Sequence, residues 1–465
     1  MSGAVAMQTK PVGATEEYLG QYAALRRSLP GADLPWLASL RDGAAARFQA
    51  QGLPTSALEA WKFTHLDRLS KQIYAPGSAG DAAVTTAELA HFRFAGLCEI
   101  LLVFVDGRFR ADLSDPQLGD AGALPEGLAV VSLARALAKS PDLVRDHLAG
   151  PEADPAQALA ALNLALAGDG AVIKLTAGAK LAQPLHLLFL TSAASGQASH
   201  VRNLIVAEAG SEATIVETYA ALPGAVSPNQ NGGAWTNAVT QVAVAENAII
   251  RHFKVQSESL ETTHTSASSV SLAAGARYDS FALATGAALA RHEVRAKLTG
   301  DKAAATLNGV YLGRGRQHQA QRTDVEHLAQ DTTLSETYKG VLDGRAHGAF
   351  LGRIHVGHGA RGTDAQQSNR NLLLSDHAVA DSKPELEIYA DDVKCAHGAT
   401  VGDLERDPLF YLRARGIGEA EARALLIEAF AAELIDRIDD ETLRGHFRNV
   451  LTHWLIGETL AGDAA

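Results

Sequence analysis

The feature that most limits what this chain can fold into is a loosely periodic turn signal in its middle. A phrase of apolar residue, small residue, turn residue, small residue recurs around Gly178, Gly210, Asn247, Gly275, Gly300, Gln330 and Gly359, at intervals of 32, 37, 28, 25, 30 and 29 residues. Between the turns lie β-rich runs, among them Ala171 to Leu175, Pro184 to Leu190, Leu204 to Ala207, Ala213 to Thr218, Val239 to Val244 and Ile249 to Val255, with no helical stretch between them. Such spacing suits a solenoid whose coils each carry two or three short strands and whose turns absorb insertions. The longest interval contains one insertion, Pro223 to Gly233. A β-sandwich would turn roughly every 8 to 12 residues and show no longer period. The pattern therefore predicts a parallel β-helix, with rows of inward Val, Ile, Leu and Ala stacked coil on coil and Gly, Asn and Asp at the corners.

The flanks read differently. Thr15 to Leu29 places Tyr18, Tyr22, Leu25 and Leu29 on one helical face before Pro30-Gly31. Asp33 stands where it would cap a second helix, with Pro35 in the first turn and Trp36, Leu40 and Phe48 along it. Ala75 to Ala83 reads as a loop, Glu99 to Phe109 as a strand pair turning at Asp106-Gly107, and Ser132 to Leu148 and Pro155 to Leu166 as helices. Beyond Asp403, helices are expected over Pro408 to Arg413, Glu419 to Ile438 and Glu441 to Ile456. In the middle one Ala422, Leu425, Leu426, Ala429, Phe430 and Leu434 form an apolar stripe that needs burial. The expected organisation is a mainly helical region with a short strand pair over 1–168, a β-helix core over 169–402 and a helical region over 403–465 that caps the open end or docks a partner.

Charge and motifs exclude several functions. With 41 Lys plus Arg against 53 Asp plus Glu, a net charge of −12 and no basic block, the chain lacks the field that nucleic acid or an anionic membrane requires. Cys98 and Cys395, its two cysteines, supply neither a disulfide framework nor four thiolates for a zinc or iron–sulfur site. Met1 to Lys10 lacks a signal-peptide pattern, and apolar runs such as Leu101 to Val105 fall far short of the roughly 20 residues a membrane helix needs. A soluble, cytoplasmic protein is expected. There is no Gly-x-x-x-x-Gly-Lys-Ser/Thr loop, no Gly-x-Ser-x-Gly elbow, no His-Glu-x-x-His and no Gly-x-Gly-x-x-Gly between strand and helix, which argues against an ATPase, serine hydrolase, zincin or dehydrogenase.

One dense stretch remains, Asp391 to Gly402. If residues 393 to 397 are extended, Cys395 and His397 point to one side, because side chains alternate along a strand. Lys394 would favour the thiolate electrostatically, from the opposite face. A thiolate and an imidazole on one strand hold iron, copper or zinc only when a second chain or a distant segment completes the shell. Equally, Cys395 can be a small buried hydrophobe and His397 a hydrogen-bonded core residue. His355 and His358 bracket a turn and read as a ligand pair or as solvated turn histidines. Glu59-Ala60-Trp61-Lys62-Phe63-Thr64 is a docking surface or packs within its own domain. Cys98 reads as a buried structural thiol.

Several blocks also carry a resemblance: Tyr338 to Gly344, Gln366 to Ser375, Pro384 to Ile388, Asp392 to Gly402 and Leu409 to Ile417, in that order, with Trp61 to Thr64 as an N-terminal signature. Together they resemble the SufB/SufD family of iron–sulfur cluster assembly proteins, and its SufD branch in particular. SufB-type chains resemble Asp-x-Cys-Gly-Ala-His-Thr-x-Pro where this one runs from Asp376-His377-Ala378 to Pro384, with alanine in the cysteine's place. They also read Glu-His-Glu-Ala-Thr where Ala396-His397-Gly398-Ala399-Thr400 stands here. The resemblance implies a right-handed parallel β-helix flanked by helical regions, and a complex with a SufB-like β-helix subunit and with SufC, an ABC-type ATPase docked on the C-terminal helices. It implies that His397, with Cys395 nearby, serves a cluster built at the subunit interface, with no stably bound cofactor and only transient iron or iron–sulfur cluster. Leu409, Phe410, Tyr411, Arg415 and Gly416 are the residues expected to meet the ATPase. The chain is then a non-enzymatic scaffold subunit, whose rivals are a homodimeric scaffold working with SufC and, from another class, a carbohydrate-active β-helix enzyme.

Overall fold

The computed structural model describes residues 13–77, 83–94, 96, 99–118, 124–148, 155–192, 196–222 and 233–457. Cys98 and almost all of the Pro223 to Gly233 insertion lie outside the described residues. The middle of the chain winds as a parallel β-helix with two strands per coil, one in each of two ten-stranded sheets. In the first sheet Trp235–Val244, Thr263–Leu272, Leu289–Leu298, His318–His327, His347–Val356 and Val379–Ile388 stack in order. Facing them in the second are Glu212–Ala221, Ile249–Ser257, Arg277–Ala284, Ala304–Gly313, Thr333–Leu342, Asp364–Leu373 and Lys394–Gly402. Most of these strands are nine or ten residues long, longer than the apolar runs suggest, because polar side chains at inward positions continue the ladder.

The corner leading from the first sheet to the second is turned by residues with left-handed backbone. Gly210, Asn247, Gly275, Lys302, Asp331, Gly362 and Asp392 all have positive φ, at 37-, 28-, 27-, 29-, 31- and 30-residue steps. The sequence phrase marks four such corner residues, Gly178, Gly210, Asn247 and Gly275, and then drifts. Gly300 has no positive φ; it is needed because a Cβ there would lie 2.0 Å from the Ala274 nitrogen. Asn and Asp fill αL positions because their short polar side chains hydrogen-bond locally. Asp301, beside the left-handed Lys302, ties one corner to the next, its carboxylate accepting the Gln330 N–H at 2.9 Å.

Two strands from the N-terminal region extend the sheets. Ile100–Val105 pairs in parallel with Leu185–Thr191, and Leu128–Ser132 pairs antiparallel with Ala171–Leu175. Asp106 and Gly107 turn the hairpin from Ile100–Val105 to Arg108–Phe109, both at positive φ, as the Asp-Gly signal requires. Ser132 ends its strand and caps the helix Leu133–Lys139, so the expected helix from Ser132 onward is split, with a second turn at Asp142–Arg145. The second N-terminal helix, Pro35–Gln51, starts from Leu34 without a side-chain cap; Pro35 at its first position supplies the start that Asp33 was expected to give. Ala75–Pro76, expected as loop, pairs with Gln197 and Ala198.

The helical flanks cover the outer faces of the β-helix. The N-terminal helices lie on the first sheet, with Tyr18 edge-on to Trp235 at 5.4 Å between ring centroids. The C-terminal helices Glu419–Ile435 and Glu441–Ile456 lie along the second sheet, over outward side chains of two neighbouring rows, Val255, Leu283 and Val310 in one and Val341 and Leu372 in the other. Five such side chains, at roughly 1.5 to 3 kcal/mol each, make this a firm lateral attachment. They do not cap the open end. The buried face of Glu419–Ile435 is Ala422, Ile427, Ala431, Ala432, Leu434 and Ile435, so the expected stripe is rotated: Leu425 and Ala429 face solvent. Among the described residues no helix is long and apolar enough to cross a membrane, which says nothing of strands.

Candidate functional site

The β-helix ends at Lys394–Gly402, which pairs with Asp364–Leu373 along one edge. Register decides which way its side chains point. Cys395 stacks on Ala365 and His397 on Gln367, and both lower residues are buried inside the coil. Cys395 and His397 therefore share the inward side, as alternation requires. With no further coil above them their fates differ: the Cys395 thiol is half-buried against the apolar core, whereas His397 is exposed at the open end.

The electrostatics depart from expectation. Burial pushes the Cys395 thiol above its usual range and the Asp364 carboxylate adds to the rise, against a hydrogen bond with the Ala365 backbone. Lys394 stands on the outer side opposite Asp364 and does not activate the thiol. In the isolated chain Cys395 is thus held as the thiol. Among the described residues no group of three or more His, Cys, Asp or Glu could hold a metal ion, so Cys395 and His397 would need ligands from elsewhere.

The other expected histidines belong to a different surface. His355 faces outward from the first sheet, where its Nδ1 lies 3.1 Å from Glu387 Oε2, and that carboxyl is lowered by His355 and Arg353. His358 is exposed and stands over the Tyr389 ring, 5.5 Å between centroids. Neither joins Cys395 and His397. The Glu59–Trp61 segment is internal packing: Trp61 is buried, its Nε1 donates to the Ala156 carbonyl at 3.0 Å, and the Arg291 guanidinium covers its ring at 4.0 Å.

The helix Arg406–Ala414 carries the residues expected to meet a partner and has no buried residue at all. Phe410 is 75% and Tyr411 57% exposed, while Leu409 is half-buried. Arg415 donates to the Tyr411 hydroxyl at 3.0 Å, and Gly416 takes the left-handed turn that ends the helix. Nearby Leu425 is 42% exposed, so an apolar face is left uncovered on this side. Sequence reading missed two interior residues below the site, Gln367 and Glu336, although a polar residue at an inward position of the Gln366 to Ser375 block was the available signal.

A parallel β-helix with helices along its sides, ending on a coil that carries an inward cysteine and histidine, is the class of protein that this fold defines. The chain belongs to the SufB/SufD family. Its residues 189–430 match the SufBD core domain of the SUF system for FeS cluster assembly, and residues 12–187 match the SufBD protein N-terminal region. It is 32% identical over 422 residues to an iron–sulfur cluster assembly SufBD family protein of Synechocystis sp., covering 90% of each chain. It is also 32% identical over 417 residues to the iron–sulfur cluster assembly protein SufD of Escherichia coli, covering 89% of this chain and 90% of the other. A chloroplastic protein of Arabidopsis thaliana, ABCI7, is 31% identical over 290 residues. Within the family the chain is SufD-like.

Proposed function

We propose that this chain is a scaffold component of iron–sulfur cluster assembly, completed at its open end by a SufB-like β-helix subunit. The observation that carries the reading is the last coil, where an inward-facing histidine and cysteine stand at an end above which no described strand is stacked. Three further facts support it. Val379, Ile388 and Val401 are large apolar residues between 43% and 50% exposed on the last two strands. The outer edge of Lys394–Gly402 has backbone groups free to pair with another chain. Among the described residues the ligand count falls short of an autonomous site.

In this reading iron or a nascent cluster is the cargo, held transiently by His397 with Cys395 beside it and by ligands of the partner. ATP hydrolysis belongs to an ABC-type ATPase that meets Phe410, Tyr411 and Arg415, with Leu409 and Gly416 shaping that helix. This agrees with the missing phosphate-binding loop. The carbohydrate-active reading has little to rest on, since the outer-face carboxylates Glu293, Asp324 and Glu387 are each engaged by arginine at 2.5 to 3.1 Å.

Co-purification of the native complex, with iron and sulfide measured, tests the proposal. A second β-helix subunit and an ATPase should accompany the chain, and His397→Ala should leave the complex intact while iron–sulfur enzyme activity in the cells is lost. Normal activity with His397→Ala would remove the site assignment. A pull-down containing only this β-helix would turn the reading to a homodimer.

A further inference from the structure

The inner row of the second sheet that ends at His397 continues downward through Gln367 to Glu336, each stacked on the next in register. Neighbouring strands lie about 4.8 Å apart, so consecutive side chains of such a row are within reach of one another. Glu336 is 1% and Gln367 3% exposed. Gln367 Nε2 donates to Glu336 Oε2 at 3.0 Å, which fixes the direction of the amide. Gly352 on the facing strand makes room for it: a Cβ at that position would lie 2.2 Å from Gln367 Nε2 and 2.9 Å from Oε1.

This leaves Gln367 Oε1 buried with no hydrogen-bond partner among the described residues. A buried carbonyl without a partner costs about 1 to 3 kcal/mol and is uncommon, so its place in the fold asks for a reason. The layer immediately above it holds His397. A histidine that ligates metal nearly always donates its other ring N–H to a carbonyl or carboxylate, and that bond sets which nitrogen keeps the lone pair.

We propose that Gln367 is the positioning residue for His397: its Oε1 accepts one imidazole N–H, holding the ring in a single tautomer with the other nitrogen turned to the open end. Glu336 acts behind it, by keeping the amide nitrogen downward and the oxygen upward. The inference rests on the reading of His397 as the residue that meets iron. It gives the Gln366 to Ser375 block a role beyond its place in the ladder.

The test uses the full chain labelled with ¹⁵N-histidine, in two-bond nitrogen–proton correlation spectra recorded above the ordinary imidazole titration range. His397 is assigned by the signal lost in His397→Ala. One tautomer is expected in the wild type and a mixture in Gln367→Met; a mixture already present in the wild type, or an unchanged tautomer in the variant, overturns the proposal. In cells, Gln367→Met should lower cluster assembly by about 10- to 100-fold, the usual effect of removing the partner of a metal-binding histidine. Where Gln367→Met does not fold, the swap of Glu336→Gln with Gln367→Glu carries the test. It reverses the bond between the layers, position 336 now donating to position 367, and still leaves an acceptor facing His397, so it should retain the single tautomer, and a mixture there refutes the role. Because the tautomer is read without iron, the positioning role fails or survives independently of the proposed function, whose own test is the activity of His397→Ala cells.

Discussion

Glu336→Gln should change how the stability of this protein depends on pH. Glu336 is sealed inside the coil, and burial pushes its carboxyl up to about 7 from the ordinary 4.5, against hydrogen bonds from the neutral Gln367 and Thr323. Between these two values the folded chain holds the proton and the unfolded chain has lost it. The slope of unfolding free energy with pH is then negative. The contribution is fully present below about 4.5 and is lost as pH rises through about 7, by about 1.4 kcal/mol per unit, so roughly 3 kcal/mol in all. Glutamine keeps an oxygen for Gln367 Nε2 and has no proton to lose. Other groups also titrate: burial holds His200 and His318 neutral down to about 3, and His327 and His446 to about 4, which lowers stability as pH falls. Those terms are common to both proteins and cancel in the difference. Urea unfolding of wild type and variant at pH 5, 6, 7 and 8 measures it. The variant should gain on the wild type steadily toward pH 8, and two parallel curves would refute the assignment of a buried, protonated Glu336.

Three other perturbations have defined outcomes. Gly352→Ala places a Cβ 2.2 Å from Gln367 Nε2 and should cost about 1 to 3 kcal/mol, seen as a lower melting temperature, with the His397 tautomer disturbed in the same variant. Phe447→Ala removes a fully buried ring that sits 5.9 Å from Phe253 and 5.2 Å from Phe281; about 3 to 5 kcal/mol of attachment should go with it, and limited proteolysis should release the C-terminal helices first. Phe410→Ala, at an exposed position, should leave melting unchanged within about 0.5 kcal/mol while reducing recovery of the ATPase in pull-downs.

The fold was legible because a solenoid writes its period into its corners. Positive φ favours Gly, Asn and Asp, and those residues mark every turn where the sequence phrase was strongest. The phrase drifted at Gly300 because the next left-handed residue is Lys302, which carries no compositional signal. The stripe on Glu419–Ile435 was misplaced for a related reason: in an Ala- and Leu-rich helix nearly every face is apolar, so composition does not select the buried one, and packing on the strands Ala304–Gly313 and Thr333–Leu342 does. Of the site, the shared side of Cys395 and His397 followed from alternation alone. The thiol's environment did not, since Lys394 is adjacent in sequence but lies across the strand, while the burial that governs Cys395 comes from residues one coil away.

The same register that makes His397 inward explains why it is available for chemistry. In the middle coils an inward polar side chain has a layer above and a layer below to bond with: His252 Nδ1 lies 2.8 Å from the Tyr278 hydroxyl, and Asn203 donates to the Thr240 hydroxyl at 3.2 Å. At the last coil the upper layer is missing, so a position built as core becomes surface without any change of backbone. A partner that pairs with the free edge of Lys394–Gly402 would restore the missing layer and bury both His397 and Cys395. Burial alone would push the thiol still higher and make it a poorer ligand. Iron held between the two chains would reverse that, because a coordinating thiol is deprotonated, its proton passing to solvent as the metal takes the sulfur lone pair. With one thiol at this end, the proposed role would give the chain a ligand set only through its partner, and docking and metal delivery would then be one coupled equilibrium.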